Sequence, residues 1–185
     1  MFNSSDNLKN KKFLIYGYGK TGFATCNYLK KNNTIFIYDD NKKIKKFFIS
    51  FKKIQLKEFD YIVLSPGIDI NKCKLKRYLK KNKKKIITDL DIFYFNNLKN
   101  NKITITGTNG KSTTAKLLYE VLKDHKKDVR LIGNIGKPVL LEKKIQKKTI
   151  FIIEASSYQI EYSKYFKTNH AMILNISPDH LERHG

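Results

Sequence analysis

A short strand that breaks into a glycine turn and then a helix constrains the fold of this chain more than any other feature. The β-branched run from Ile103 to Thr106 reads as a buried strand, and Gly107-Thr108-Asn109-Gly110-Lys111-Ser112-Thr113-Thr114 follows it. Apolar residues recur at helical spacing from Lys111 onward. Such a junction offers backbone N–H groups and a helix N-terminus to an anion, with Lys111 for charge and Ser112 for Mg²⁺. The sequence therefore predicts a phosphate-binding loop.

The spacing of this loop departs from the general P-loop motif. That motif places a glycine five residues before its Gly-Lys pair, and this chain has Ile105 at that position. An ordinary strand, turn and helix with a surface lysine is the alternative. Because glycines, a lysine and hydroxyl residues fall together at the junction, we favour the phosphate loop.

A second glycine motif lies near the start of the chain. Phe13 to Tyr16 reads as a strand, and Gly17-Tyr18-Gly19-Lys20-Thr21-Gly22 after it fits G-x-G-x-x-G. A helical pattern and a second strand, Thr34 to Tyr38, follow and end at Asp39. This arrangement is typical of dinucleotide-binding units, in which the acid accepts a hydrogen bond from the ligand. Glycines needed only for helix–strand packing are the alternative.

Strand and helix patterns alternate along the whole chain. Further strands are expected over 59–64, 86–87, 129–132, 149–153 and 171–176. Further helices are expected over 75–79, 90–98 and 111–124, and two more are expected to begin at Pro138 and after Ala155. This alternation predicts an α/β fold with parallel sheets covered on both faces. Ligands bind at the carboxyl ends of such strands, so we expect one edge to hold Lys20, Thr21, Asp39 and Ser65-Pro66-Gly67.

A polar, turn-like segment at 96–101 divides the chain into two predicted domains. We expect residues 1–98 to form a Rossmann-like parallel-sheet domain and residues 99–185 to form a P-loop-type α/β domain. The last predicted strand has no helix after it, so we expect the second domain to be incomplete at Gly185.

Two residues that follow strands near the phosphate loop are candidates for metal chemistry. Glu154 comes directly after the apolar strand at 149–153, and His180 comes after the last strand. An acid beside a phosphate loop is where a Mg²⁺ ligand or a water-orienting group is needed. A charged helix N-cap is the alternative for Glu154. The remaining histidines are expected at the surface: His125, His170 and His184.

The net charge of +22 raises the question of a nucleic-acid partner. The lysines are scattered between apolar segments, including pairs at 42–43 and 45–46, and arginine occurs only at Arg77, Arg130 and Arg183. Arginine is the better residue for bidentate contacts with bases and phosphates. We therefore expect a solvated lysine coat and no specific nucleic-acid partner, and a basic nucleic-acid-binding protein is a less favoured class.

Cysteine content and hydropathy favour a cytoplasmic protein. Cys26 and Cys73 are too few and too isolated for a disulfide framework or a zinc cluster. Residues 1–12 lack the apolar core of a signal peptide, and no apolar run reaches membrane-spanning length. We expect reduced thiols, no membrane partner and a monomer.

With these motifs assembled, the chain resembles the Mur ligase family, the ATP-dependent enzymes that build the peptide of bacterial peptidoglycan. Its shortened loop is similar to that family's ATP cradle, which accounts for Ile105. The similarity is greatest to the members that add D-glutamate to UDP-N-acetylmuramoyl-L-alanine. Five ordered stretches carry it: Gly17 to Gly22, Ser65-Pro66-Gly67-Ile68, Gly133-Asn134-Ile135-Gly136, Glu154-Ala155-Ser156-Ser157-Tyr158-Gln159-Ile160-Glu161 and Leu174 to Leu181.

The resemblance implies roles for named residues, with Lys111 and His180 as the catalytic pair. ATP would be wrapped by Thr108, Asn109, Gly110, Lys111, Ser112, Thr113 and Thr114. The uridine nucleotide of the substrate would contact Lys20, Thr21, Asp39, Gly67, Asn134 and His180. Mg²⁺ would be held by Ser112, Glu154 and His180. ATP would convert the substrate carboxylate to an acyl phosphate, which the amine of D-glutamate attacks to form an amide.

The resemblance also sets limits on what this chain does alone. The family has a carbamylated lysine after the position of His180 and a third domain that holds the amino acid, and both fall beyond Gly185. We therefore expect a fragment that binds the uridine substrate without completing ligation. A family member adding L-alanine, a diamino acid or a dipeptide is one alternative, against which Tyr158-Gln159 argues. A nucleotide-binding module without ligase activity is another.

Overall fold

The computed structural model describes residues 8–41 and 47–184 of the chain. Within these ranges the fold is α/β with parallel strands, which confirms the prediction from the alternating pattern. The lysine pairs at 42–43 and 45–46, most of the polar N-terminal segment and the side chain of His184 lie outside the described residues. The expectations for those parts stay predictions.

The first sheet has four parallel strands in the order β2-β1-β3-β4. Its strands are β1 (Lys12–Tyr16), β2 (Thr34–Tyr38), β3 (Tyr61–Leu64) and β4 (Ile86–Ile87). Its helices are α1 (Lys20–Leu29), α2 (Phe51–Gln55), α3 (Lys76–Lys81) and α4 (Asp89–Asn96), with a 3₁₀ turn at Lys83–Lys85. A helix follows every strand, as parallel neighbours require a crossover connection.

The side chains of β1 alternate between two apolar clusters. Phe13 and Ile15 pack with residues of α1 and α4, whereas Leu14 and Tyr16 pack with residues of α2 and α3. All four side chains are fully buried. A strand covered on both faces needs a continuous apolar run, which is the pattern that predicted this strand.

The second sheet also has four parallel strands, in the order β6-β7-β5-β8. Its strands are β5 (Asn101–Thr106), β6 (Val129–Gly133), β7 (Ile150–Glu154) and β8 (His170–Ile173). Its helices are α5 (Lys111–Asp124), α6 (Ser157–Glu161) and α7 (Leu181–His184), with a 3₁₀ turn at Val139–Leu141. Because β5 pairs with both β7 and β8, the phosphate loop leaves the sheet from an interior strand.

Asp91 of α4 ties the two halves of the chain together. This carboxylate is fully buried, and its Oδ1 atom accepts hydrogen bonds from the Ser163 hydroxyl and from the backbone N–H groups of residues 164–166, at 2.7 to 3.0 Å. Its Oδ2 atom accepts from the backbone N–H of Thr88 at 2.9 Å, within the capping box of α4. Helix α4 is thus hydrogen-bonded to the second half of the chain, and residues of both sheets share one apolar cluster. A domain boundary after residue 98 stays a proposal.

Several expected boundaries differ from the structure, most clearly those of β8 and α4, and two helices, α2 and α7, were not expected. Helix α7 follows β8, so the expectation that no helix comes after the last strand is wrong. Strand β8 ends at Ile173, not at residue 176, because residues 175–177 leave the sheet and bond to the phosphate loop. Helix α4 ends at Asn96, since Asn97 caps it with a non-helical backbone. Helix α2 has only Ile54 buried, so it carries no apolar period that a sequence pattern could detect.

The described part of the chain has no helix that is long and apolar enough to cross a bilayer. Cys26 and Cys73 both remain thiols in it, in agreement with the expectation from their spacing.

Candidate functional site

The carboxyl edge of the first sheet opens into a cavity of about 700 Å³, which we call the first cavity. Ligands of parallel sheets bind at this edge, and the volume suits a small molecule. The first cavity brings together most of the residues predicted to contact the uridine substrate, namely Lys20, Thr21, Asp39, Gly67 and Asn134. The sixth residue of that set, His180, does not line it.

Gly17, Gly19 and Gly67 line the first cavity, and Gly22 of helix α1 lies next to Gly17. These glycines are of two kinds. A Cβ atom on Gly17 would lie 2.8 Å from Cβ of Ser65, and one on Gly22 would lie 2.0 Å from the carbonyl oxygen of Gly17. These two glycines are required by packing. A Cβ atom on Gly19 or Gly67 would meet no atom of the described residues within 4 Å. Both line the cavity, so packing does not account for them and the close approach of a ligand would.

Two adjacent acids follow β2 at the wall of the first cavity. Asp39 holds its own loop, because its carboxylate accepts from the backbone N–H of Tyr18 at 2.6 Å and from that of Asn41 at 2.9 Å. Asp40 Oδ2 accepts from the Tyr16 hydroxyl at 2.6 Å, while its Oδ1 atom is shielded and has no hydrogen-bond partner among the described residues. Burial raises the pKa of Tyr16, so its hydroxyl stays a donor. Asp40 therefore offers an unused acceptor.

The loop between β5 and α5 has the geometry of an anion cradle. Gly110 caps α5 with φ of 81° and offers no side chain to the first backbone N–H groups of the helix. Lys111 Nζ donates to the carbonyl oxygens of Gly107 and Thr108, both at 2.6 Å. Lys111 is half-buried against its own loop, which favours the phosphate loop over an ordinary surface lysine, and its contact with ATP stays a prediction.

Residues after β8 hold the phosphate loop in place. Asn175 accepts from the backbone N–H of Asn109 at 2.9 Å and donates to the carbonyl oxygen of the same residue at 3.0 Å. Thr108 and Ser177 exchange two further hydrogen bonds at 3.1 Å. Gly107 has φ of 141°, and a Cβ atom there would lie 3.2 Å from backbone atoms of Asn175. The loop therefore has a fixed shape before any ligand binds.

The phosphate loop opens into a second cavity of about 850 Å³. The predicted ATP and catalytic residues that line it are Thr108, Lys111 and His180. The others lie in the loop and in the first turn of α5, namely Asn109, Gly110, Ser112, Thr113 and Thr114. A lysine, a helix N-terminus and a histidine thus surround one opening, which suits a polyphosphate.

Glu154 lies at the end of β7 and is 1% exposed. Its Oε1 atom accepts from Asn134 Nδ2 at 2.8 Å, and its Oε2 atom is buried without a hydrogen-bond partner among the described residues. Helix α6 is capped by Ser156, whose hydroxyl accepts from the backbone N–H of Gln159, so the helix-cap alternative for Glu154 is wrong. An orphaned buried carboxylate oxygen fits a cation ligand.

His180 faces the second cavity from the segment after β8. Its ring lies 4.7 Å from the ring of Tyr158, centroid to centroid. Its Nε2 atom is 3.5 Å from Asp179 Oδ2, and its Nδ1 atom is 3.7 Å from Glu182 Oε1. The histidine is therefore next to the phosphate loop, and its predicted contact with the ligand of the first cavity stays a prediction.

Of the three predicted Mg²⁺ ligands, Glu154 and His180 are not part of a ready-made group of metal-binding side chains among the described residues. In the ranges 8–41 and 47–184, no three His, Cys, Asp or Glu side chains are placed to hold a metal ion together. Mg²⁺ is commonly held by one or two carboxylates together with phosphate oxygens of the substrate. The orphaned oxygen of Glu154 fits that mode, in which the nucleotide supplies the remaining ligands.

Helix α6 forms a wall shared by the two cavities. Gln159 lines the first cavity, whereas Ser157 and Glu161 line the second. No role had been predicted for these residues or for Asp40, whereas Ser65 had been expected at this edge and does line the first cavity. For Asp40, its position directly after a strand was the signal that could have found it.

The fold and the two cavities define a class of protein, in which a Rossmann-like sheet is followed by a P-loop-type sheet. Residues 105–185 match the family model of the Mur ligase middle domain. Over 185 residues the chain is 37% identical to a UDP-N-acetylmuramoylalanine–D-glutamate ligase from Rickettsia bellii, covering 95% of this chain and 40% of the relative. The ligase of the same name from Francisella tularensis subsp. novicida is 40% identical over 186 residues, covering 99% and 42%.

Two solved structures share the fold at 15% sequence identity. One is UDP-N-acetylmuramate:L-alanyl-γ-D-glutamyl-meso-diaminopimelate ligase from Neisseria meningitides, with a TM-score of 0.55 over 95% of this chain and 64% of that one. The other is a murein peptide ligase from Psychrobacter arcticus, with a TM-score of 0.52 over 94% and 44%. The chain belongs to the Mur ligase family, as its motifs indicate, and it spans about 40% of the length of the curated relatives described above.

Proposed function

We propose that this chain carries the uridine-substrate and ATP sites of a cytoplasmic ligase that adds D-glutamate to UDP-N-acetylmuramoyl-L-alanine in peptidoglycan precursor synthesis. The observation that carries the proposal is the pair of cavities on either side of α6, one with a glycine-lined edge and one with a phosphate loop. The names of the two curated relatives support D-glutamate as the amino acid. The complete reaction is proposed for a protein of the relatives' full length, acting as a monomer.

The first cavity suits a nucleoside diphosphate attached to a sugar. Helix α1 begins at Lys20 with Gly19 as its cap and no side-chain hydrogen bond to its first turn, which favours a diphosphate at that end. Asp39 and Asp40 line the same cavity, and carboxylate oxygens accept hydrogen bonds from a base or a ribose. The open glycine at Gly67 leaves room beside them.

The second cavity suits the triphosphate of ATP. Lys111 and the uncapped first turn of α5 supply positive charge and N–H donors. Glu154, which is not among the lining residues of either cavity, has a carboxylate oxygen left for Mg²⁺. When bound, ATP supplies the phosphoryl group and Mg²⁺ offsets its charge. The protein's part is to orient that group and to stabilise the charge on its oxygens through Lys111.

The chemistry requires both cavities because a carboxylate is a poor electrophile. Transfer of the terminal phosphoryl group to the substrate carboxylate gives an acyl phosphate and ADP. The amine of D-glutamate then attacks the carbonyl carbon, an amide forms, and inorganic phosphate leaves. That α6 lines both cavities supports this proposal, because the transfer needs two neighbouring ligands.

Calorimetric titration of the 185-residue chain tests the two sites separately. Lys20→Met should weaken binding of UDP-N-acetylmuramoyl-L-alanine about tenfold or more, and Lys111→Met should weaken binding of a non-hydrolysable ATP analogue by a similar factor. Lys116→Met, an exposed position further along α5, is the control and should leave both affinities unchanged. Preference of the first cavity for NAD over the uridine nucleotide would overturn the proposal.

The amino acid is tested in a protein with the relatives' full length. Phosphate release should require D-glutamate and should not be supported by L-alanine, a diamino acid or a dipeptide. Release driven by one of those three would identify a different member of the family.

A further inference from the structure

Arg183 of α7 reaches from the second half of the chain to the loop after β3. Its Nη1 atom donates to the carbonyl oxygen of Pro66 at 3.0 Å, and its Nη2 atom donates to that of Ile68 at 3.1 Å. These residues flank Gly67, and all three line the first cavity. The guanidinium therefore holds the backbone of one wall of the first cavity.

The same guanidinium is bonded to the wall of the second cavity. Its Nε and Nη2 atoms both lie 2.7 Å from Oε2 of Glu161, and its Cζ atom lies 4.5 Å from the centre of the Tyr158 ring. The backbone N–H of Arg183 donates to the carbonyl oxygen of His180 at 3.0 Å. Glu161 and His180 line the second cavity. One side chain, which lines neither cavity itself, is thus in contact with a wall of each.

Burial and geometry distinguish the contacts of Arg183 from other contacts between the loop after β3 and the second half of the chain. Lys72 Nζ donates to the carbonyl oxygen of Glu182 at 2.5 Å, but this contact is exposed. The Tyr162 hydroxyl accepts from the N–H of Ile70 at a longer distance, 3.4 Å. The Arg183 side chain is only 8% exposed. A planar guanidinium with donors fixed in a fork can satisfy two carbonyls and a carboxylate together, which a lysine ammonium on a flexible stem does not.

We propose that Arg183 is a positioning residue that couples the two cavities, so that a ligand in one changes the affinity of the other. The inference rests on the proposed function, because it takes the uridine substrate as the first ligand and ATP as the second. A shift of the backbone beside Gly67 moves the guanidinium, and the guanidinium moves Glu161. Coupling of this kind is reciprocal, because it is a free energy shared by both binding steps.

Calorimetry on the 185-residue chain measures the coupling. The affinity for UDP-N-acetylmuramoyl-L-alanine is determined with and without saturating Mg²⁺ and adenylyl imidodiphosphate. In the native chain the two affinities should differ at least about fivefold, and in Arg183→Met the ratio should fall to about one while each ligand still binds alone. Arg183→Lys should restore little of the ratio, since an ammonium lacks the fork.

A matched control uses an arginine in a different ion pair. Arg130 lies 2.5 Å from Asp128 and 3.3 Å from Glu142 at β6, away from both cavity walls. Arg130→Met should therefore keep the native ratio. If Arg183→Met fails to fold, Glu161→Gln removes the charge partner with little change of shape, and it should lower the ratio in the same direction.

The outcomes separate this inference from the function on which it rests. A native ratio near one, or an unchanged ratio in Arg183→Met with only a lower melting temperature, would overturn the coupling and leave the two sites in place. Failure of the native chain to bind either nucleotide would overturn the proposed function instead.

Discussion

Single residues of the first glycine motif separate what the fold requires from what a ligand requires. Gly17 and Gly22 approach other atoms so closely that a Cβ atom cannot fit, whereas Gly19 faces open space. All three positions are glycine in the sequence, so the motif alone cannot distinguish a glycine required by packing from one required by a ligand. The distinction matters because only the open glycine lets a ligand approach the backbone.

Gly22→Ala should lower the free energy of unfolding by about 3 kcal/mol, because the added Cβ atom would lie 2.0 Å from the carbonyl oxygen of Gly17. Gly19→Ala should change it by less than about 0.5 kcal/mol and should weaken binding of the uridine substrate. Urea unfolding and calorimetry measure the two effects. A Gly19→Ala variant with native affinity would contradict the assignment of the open glycine.

Asp89 makes stability depend on pH. This first residue of α4 is 3% exposed, its Oδ1 atom has no hydrogen-bond partner among the described residues, and burial raises its pKa from 3.8 to about 6. Because folding favours the protonated form, the contribution of this carboxyl is full below about pH 4 and is lost as pH rises through about 6, by about 1.4 kcal/mol per unit.

Asp89→Asn should therefore gain stability relative to the native chain as pH rises. The difference in the free energy of unfolding between variant and native chain is measured by urea titration at pH 4 and at pH 8. A difference that is the same at both pH values would show that Asp89 titrates as an ordinary exposed carboxyl.

Secondary-structure elements show how far the sequence predicts this fold. Strands β2 and β4 begin and end where the pattern places them, because polar residues bound each apolar run. Strand β8 marks the limit, since Leu174 and Ile176 continue its apolar pattern while Asn175 between them bonds to the phosphate loop. Hydrophobic periodicity contains no information about hydrogen bonds to a distant loop, so the end of β8 could not be predicted from the sequence.

The residues of the candidate site could also be predicted only in part. Lys20, Thr21, Asp39 and Ser65-Pro66-Gly67 were predicted because each lies at a strand end or a helix start, and topology alone brings such positions to one edge. Asn134 was predicted only from the resemblance. The partners of Arg183 could not be predicted, because 117 residues separate it from Pro66 and no period connects them. The buried oxygen of Glu154 likewise depends on packing that only the structure shows.

The Asp91 carboxylate at the start of α4 should contribute strongly to stability. Asp91→Ala should lower the free energy of unfolding by about 3 kcal/mol or more, because the donors of residues 163–166 would lose their buried acceptor. Asp69→Ala is the control, since Asp69 accepts from the N–H of Asn71 at 2.7 Å in an exposed turn and should contribute only about 0.5 to 1 kcal/mol. Equal losses in urea unfolding would contradict the role given to Asp91.

The whole molecule has a large excess of positive charge. The chain has 38 Lys and Arg against 16 Asp and Glu. Many of the lysines lie at the surface, as in α3 and the 3₁₀ turn at Lys83–Lys85, which buries no side chain. Like charges repel more strongly in the compact state than in the unfolded chain, so this coat should reduce stability at low salt.

Raising NaCl from about 0.01 M to about 0.1 M shortens the screening length from about 30 to about 10 Å, and it should raise the melting temperature of the native chain. A triple variant with Lys83→Gln, Lys84→Gln and Lys85→Gln should show a smaller rise, since it carries less repulsion. Calorimetric melting at both salt concentrations measures the effect. A melting temperature that falls with added salt would contradict repulsion as the dominant charge effect.

If the two cavities bind different nucleotides, amide chemical-shift mapping of the 185-residue chain by NMR should show two separate sets of responding residues. Titration with UDP-N-acetylmuramoyl-L-alanine should give the largest shifts at residues 17–22, 65–68 and 133–136. Titration with Mg²⁺ and adenylyl imidodiphosphate should give them at residues 107–114. If both ligands produced their largest shifts at the same set of residues, or if neither set responded, the assignment of the two cavities would be wrong.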